Sequence, residues 1–111
     1  MIVVTSPQRG LSAQCEPILR ALPEWFGIEE ATQQYVRDIE ERLTFIAYAV
    51  DMLAGFLTIV EHSEFAAEIH VMVVLPQYHR RGMGRTLIQA AEGYLRVKGV
   101  EFLHWFCRSS A

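Results

Sequence analysis

Leu75-Pro76-Gln77-Tyr78-His79-Arg80-Arg81-Gly82-Met83-Gly84-Arg85-Thr86-Leu87 decides the reading of this chain. An apolar run rich in β-branched residues ends at Pro76. Two glycines and three arginines follow, and then an amphipathic helical pattern begins. A strand that passes through a basic, glycine-bearing turn into a helix presents backbone N–H groups without intrahelical partners. The helix dipole adds positive potential at the same place. Glycine has no Cβ, so an anion can come close to the main chain. The stretch therefore reads as a site for phosphate groups, such as the pyrophosphate of a cofactor.

Working outward, 111 residues make one domain, 1–111, of ordinary size. A hydrophobic content of 51% with 21% charged residues fits a globular chain rather than a disordered one. No run approaches the roughly 18 apolar residues of a membrane helix, so no membrane partner is expected. No signal-peptide pattern opens the chain. Cys15 and Cys107 are too few for a disulfide framework, and a reducing cytoplasm is the expected compartment. The histidines and cysteines show no ligand spacing, so no metal is expected.

The net charge of −3 is unevenly spread. Residues 1–78 hold four basic residues against eleven acidic ones, and residues 79–111 hold six against two. This asymmetry points to an anionic ligand in the second half and a cationic one facing the first. Few basic residues and a pI of about 5.8 argue against a nucleic-acid partner.

In chain order, Ile2 to Thr5 reads as a strand closed by Ser6, Pro7 and Gly10. Leu11 to Leu22 has a helical apolar period, with Pro17 expected in its first turn. Pro23 to Gly27 is a loop carrying the adjacent aromatics Trp25 and Phe26. A second helix is expected from about Glu29 to Leu43. Phe45–Val50 and Leu53–Glu61 read as an antiparallel pair joined through Asp51 and Met52, with Gly55 as a possible bulge. Ala67 to Leu75 is a further strand. A strict period of two puts Glu68, His70, Met72 and Val74 on one face and Ile69, Val71, Val73 and Leu75 on the other. The last helix, about Gly82 to Val97, buries Leu87, Ile88, Ala91 and Leu95, with Gly99 after its end. Val100 to Cys107 is a final apolar strand. The order β-α-α-β-β-β-α-β gives an α/β (α+β) fold, a mixed β-sheet flanked by helices.

These residues resemble the GNAT superfamily of acetyl-CoA-dependent N-acetyltransferases. The family signature, Gln or Arg, two residues, Gly, one residue, Gly or Ala, is similar to His79-Arg80-Arg81-Gly82-Met83-Gly84. His79 departs from it. The resemblance covers residues 1 to about 104 and implies acetyl-CoA as co-substrate. By it, the backbone of Met72, Val73 and Val74 would bond the pantetheine arm. The amides of about Arg80 to Arg85 would cradle the pyrophosphate, with Arg80, Arg81 and Arg85 adding charge.

Acetyl transfer needs a neutral amine, because an ammonium has no lone pair, so a general base matters. Glu68 lies 14 residues before Gly82, the spacing of the general-base glutamate in the histone-acetyltransferase branch. His70 lies 12 before it, matching a strand histidine of the arylalkylamine-acetyltransferase branch. Trp25 and Phe26 fall where the family closes over its acceptor, and would line a site for a small amine or peptide. Glu24, Glu29 and Glu30 would attract its charge. The family usually continues with a helix and two strands, and that helix commonly carries a tyrosine acid. These elements are absent after Leu103, and no general acid is assigned. The uncovered apolar strand is expected to pair with a second copy, giving a homodimer. The resemblance thus implies an N-acetyltransferase, with a catalytically silent acyl-CoA-binding module or a truncated fragment as the alternative.

Overall fold

The structure is a computed structural model, and it describes residues 2–22, 27–63, 66–79, 81–97 and 101–102. Its strands are β1 (Ile2–Val4), β2 (Thr44–Ala49), β3 (Met52–Ser63), β4 (Ala66–Val74) and β5 (Glu101–Phe102). Its helices are α1 (Ser12–Arg20), α2 (Glu29–Glu41) and α3 (Met83–Val97), with one 3-10 turn at Pro76–Tyr78. The element order is the one the sequence predicts. The strands lie in the order β1-β2-β3-β4-β5, antiparallel through β4, and β5 then joins β4 in parallel at Ala66↔Glu101 and Ala67↔Phe102. A parallel pair needs a crossover, and α3 supplies it. Among the described residues no helix is long and apolar enough to cross a membrane.

Each face of the sheet buries its own core. On one face Phe45, Leu57, Ile59, Ile69, Met72 and Val74 pack against the stripe Met83, Leu87, Ala91 and Leu95 of α3. This stripe differs from the expected one: Met83 joins it, and Ile88 is only partly buried. On the other face Ile46, Phe56, Val71 and Val73 meet Cys15, Ile18 and Leu19 of α1 and Ile39 of α2. Pro17 sits at the sixth position of α1 rather than in its first turn, so the bond to the Ala13 carbonyl is lost there. The buried side of α1 holds it helical regardless. The Cys15 thiol is fully buried and desolvation pushes it up to about 12, so it is an uncharged core group at neutral pH.

Two bulges set which residues face which core. The β2–β3 register passes from Ala47↔Gly55 to Tyr48↔Leu53, so the extra residue is Ala54, one before the expected Gly55. The β3–β4 register passes from Thr58↔Val71 to Ile59↔Ile69, and His70 is the extra residue on β4. The strict alternation expected along this strand is therefore wrong. Ala67 and Ile69 share the α3 face with Met72 and Val74, while Val71 and Val73 face α1 and α2. A bulge adds one residue and so reverses the phase of everything beyond it. The connection between β2 and β3 also shifts: Val50 takes a φ of 60°, and Met52 already belongs to β3.

Inside the sheet, the hydroxyls of Thr44 and Thr58 bond each other at 2.9 Å and both residues are fully buried. Thr58→Val takes from the Thr44 hydroxyl its 2.9 Å partner, leaving only the longer 3.5 Å bond to the Arg42 carbonyl, and is expected to cost about 1–2 kcal/mol. Adding Thr44→Val should recover most of it, because an apolar pair of the same shape has no unmet polar group. Urea unfolding of the two single variants and the double variant checks this; a strictly additive double variant would contradict it.

Candidate functional site

β4, the 3-10 turn and α3 build the site. Leu75 Nα bonds the Ala54 carbonyl at 2.9 Å, and Tyr78 Nα bonds the Leu75 carbonyl at 2.9 Å, so the chain turns sharply as it leaves the sheet. His79 then ties the turn back. Its Nε2–H donates to the Val74 carbonyl at 2.8 Å, and its amide bonds the Pro76 carbonyl at 3.1 Å. The residue that departs from the signature thus anchors the entry to the glycine turn.

Gly82 has a φ of +78°, and a Cβ added there would meet nothing within 4 Å. The demand for glycine is therefore one of backbone conformation and not of space. Its carbonyl receives both the amide (3.0 Å) and the hydroxyl (2.8 Å) of Thr86, which makes Gly82 the cap of α3. Helix geometry then leaves the N–H groups of Met83, Gly84 and Arg85 without intrahelical acceptors. The first turn of α3 holds no acidic residue to occupy them, and exposed Arg81 and Arg85 flank it. At Gly84 an added Cβ would stand 3.5 Å from Met72 Cε, an ordinary contact, so nothing in the protein itself requires glycine there. An arrangement of this kind fits a polyanion such as a pyrophosphate. Met83 can serve only through its backbone, since its side chain is 2% exposed within the core.

Met72, Val73 and Val74 are likewise buried, with side chains on opposite faces of the sheet, so only their main chain can serve a ligand. Among the described residues β5 pairs with β4 only at Ala66 and Ala67, at the end of the strand remote from the turn.

Upstream on β4, Glu68 and His70 each have a close partner. Glu68 Oε1 lies 2.8 Å from His62 Nε2; its side chain is 21% exposed and that of His62 48%. His70 Nε2 lies 2.8 Å from Asp38 Oδ2 on α2, and the ring of Tyr35 packs 6.0 Å away, tilted by 51°. Both β4 residues are half-buried. Neither His62 nor Asp38 was among the residues singled out from the sequence. Asp38 had a signal: it falls three residues after Tyr35 and one before Ile39, on the apolar side of α2, where an acid needs a partner. His62 had none, because its place beside Glu68 depends on the β3–β4 register, in which Glu68 faces Val60, two residues before His62.

Glu29, expected to attract the acceptor's charge, lies in an exposed ion pair. Its carboxylate takes a two-pronged bond from Arg20, Nη1 to Oε1 and Nη2 to Oε2, both at 2.9 Å. The guanidinium holds the Glu29 carboxyl below its ordinary range, and the pair ties α1 to α2. Arg80, the aromatics Trp25 and Phe26, and the strand expected beyond Phe102 lie outside the described residues. A cleft of about 530 Å³ opens beside the turn, lined by Ile2, Ala49, Val50, Met52, Tyr78, Arg81 and Met83. Among the described residues no three His, Cys, Asp or Glu side chains gather as a metal site.

A model of the acetyltransferase (GNAT) family matches residues 13–110. No curated protein sequence matches the chain. An aminoglycoside 6′-N-acetyltransferase solved with coenzyme A is similar with a TM-score of 0.71 at 20% identity, over 95% of this chain and 60% of that one. A ribosomal-protein-alanine N-acetyltransferase from Brucella melitensis gives 0.73 at 11% identity, over 98% and 80%. An aminoglycoside acetyltransferase from an uncultured soil metagenomic sample, solved with sisomicin, gives 0.67 at 18%, over 96% and 76%. At these identities the likeness is one of fold.

Proposed function

The chain belongs to the acetyltransferase (GNAT) family, and from that premise we propose that it transfers an acetyl group from acetyl-CoA to a primary amine of a small molecule or peptide. The observation that carries the reading is the glycine-capped N-terminus of α3. Gly82 at positive φ, no acid in the first turn, and Arg81 and Arg85 beside it suit a pyrophosphate. Residues 79–85 would hold that group, with His79 fixing the approach and Arg80, Arg81 and Arg85 adding charge. The main chain of Met72 to Val74 would run beside the pantetheine arm. Acetyl-CoA supplies the thioester. The protein's part is to place the amine and take its proton.

For that proton the chain offers Glu68 and His70, both half-buried on the strand that leads to the turn. Trp25 and Phe26 would border the acceptor. The similar proteins named above include aminoglycoside acetyltransferases and a ribosomal-protein-alanine N-acetyltransferase, which supports an amine acceptor on a small molecule or a protein.

Calorimetry with acetyl-CoA, followed by thiol-release assays with sisomicin, tyramine and an alanine-terminated peptide, tests the proposal. Binding with release on at least one amine supports it. Binding without release on any amine supports the silent module, and no binding removes both. Among active-site variants, Glu68→Gln and His70→Ala assign the base: one of them should lower kcat at least tenfold at neutral pH.

A further inference from the structure

We propose that Asp38 is a positioning residue that fixes the tautomer of His70, so that Nδ1 is the atom that receives the proton of the acceptor amine. The inference rests on the acetyltransferase reading above and adds to it which atom acts and what orients it.

The bulge at position 70 is the starting point. His70 is the residue of β4 without a counterpart on β3, and a bulge of this kind re-aims a side chain. The side chain here meets α2, where its Nε2 lies 2.8 Å from Asp38 Oδ2. A carboxylate can only accept, so Nε2 must carry the proton and donate it. In the neutral ring Nδ1 then bears the lone pair. Among the described residues Nδ1 has no hydrogen-bond partner, and the side chain is 30% exposed.

Asp38 is itself held. Gln34 Nε2 donates to its other oxygen, Oδ1, at 2.9 Å, and Gln34 Oε1 accepts from Arg37 Nη2 at 2.8 Å. Arg37, Gln34, Asp38 and His70 form a chain in which each amide and carboxylate orientation follows from its neighbours. With its side chain only 15% exposed, Asp38 sits where its bond to the ring is little weakened by water. A carboxylate behind a histidine fixes the tautomer and stabilises the imidazolium that forms when the ring takes a proton.

The step balances without a further reactant. An acceptor arriving as an ammonium gives one proton to Nδ1, which frees its lone pair. As that pair forms the C–N bond to the acetyl carbon, the C–S bond breaks and sulfur leaves with its electrons. The amine nitrogen loses its second proton in the same exchange, and one proton ends on the thiol.

The tautomer is read directly by nitrogen-15 NMR of the histidine-labelled full chain, whether or not the enzyme turns over. Neutral His70 is expected as the Nε2–H form in the wild type and as a mixture, or the Nδ1–H form, in Asp38→Asn, whose amide can donate to Nε2. With whichever of sisomicin, tyramine and the alanine-terminated peptide is acetylated, Asp38→Asn should lower kcat at least tenfold with little change in KM for acetyl-CoA. Asp38→Glu should restore part of the rate and the Nε2–H form. An Nδ1–H ring in an active wild type, or a changed tautomer with unchanged kcat, overturns the role of Asp38. A wild type that binds acetyl-CoA yet acetylates no amine removes the base role of His70 together with the enzymatic reading, while the NMR result still decides whether Asp38 sets the ring.

Discussion

Gly84→Asp is expected to weaken coenzyme A binding about a hundredfold while leaving Tm unchanged or slightly higher. The two effects have opposite signs because one feature, the first turn of α3, governs both. For folding, the change is favourable. Replacing a helical glycine gains about 0.5–1 kcal/mol, and an acid near a helix N-terminus gains about 0.3–1 kcal/mol more. The new Cβ meets only the mobile end of Met72, at 3.5 Å. For a bound pyrophosphate the same carboxylate is a like charge in its cradle. Two unit charges about 4 Å apart at an effective dielectric of about 20 repel by roughly 4 kcal/mol, and a hundredfold loss needs only about 2.7 kcal/mol. Gly84→Ala separates charge from bulk, since it adds the methyl group alone. Calorimetry with coenzyme A beside a thermal melt reads both quantities. An aspartate variant that binds as tightly as the wild type would remove this turn from the cofactor site.

Gly55→Ala is expected to destabilise the fold by about 2–3 kcal/mol, near the upper end for overpacking, and Gly55→Val to prevent stable folding. The reason is a close approach across strands. A Cβ at position 55 would stand 2.7 Å from the Val73 carbonyl oxygen and 3.3 Å from Val74 Cα. Both are backbone atoms of a strand fixed by its ladder, so neither can rotate aside. Either β4 moves away from β3 or the Gly55 backbone twists out of register. In a domain of this size each kcal/mol lowers Tm by about 4–8 °C, so Gly55→Ala should melt some 10–20 °C earlier. Because the displaced residues, Val73 and Val74, lead directly into the glycine turn, coenzyme A affinity should fall in the same variant. Urea unfolding with a calorimetric titration checks both; a loss of Tm below about 3 °C would show that β4 yields more easily than its ladder implies.

The sequence marks Gly55 as unusual but for a different reason. A glycine in a strand pattern signals a bulge or a close approach, and the bulge belongs to Ala54 instead. The choice depends on where the Val73 carbonyl lies, eighteen residues away in the chain. His79 shows the reverse case. It was visible as a departure from the family signature, yet its role as an anchor on Val74 follows only from the 3-10 turn that folds it back. Glu29 carries a feature no local pattern shows, its two-pronged bond to Arg20, nine residues earlier.

By itself the sequence determined the element order and the glycine-capped start of α3. Those features rest on local physics: helical and strand periods, a backbone that only glycine adopts easily, and the unpaired amides every helix start possesses. Tertiary structure decided the phase of β4, and with it the surroundings of the two acid–base candidates. An extra residue at position 70 reverses the alternation of a whole strand, and no local signal shows it, because a bulge is defined by the strand opposite. The same bulge brings His70 to Asp38, 32 residues earlier, a bond that exists only because α2 lies across that face of the sheet.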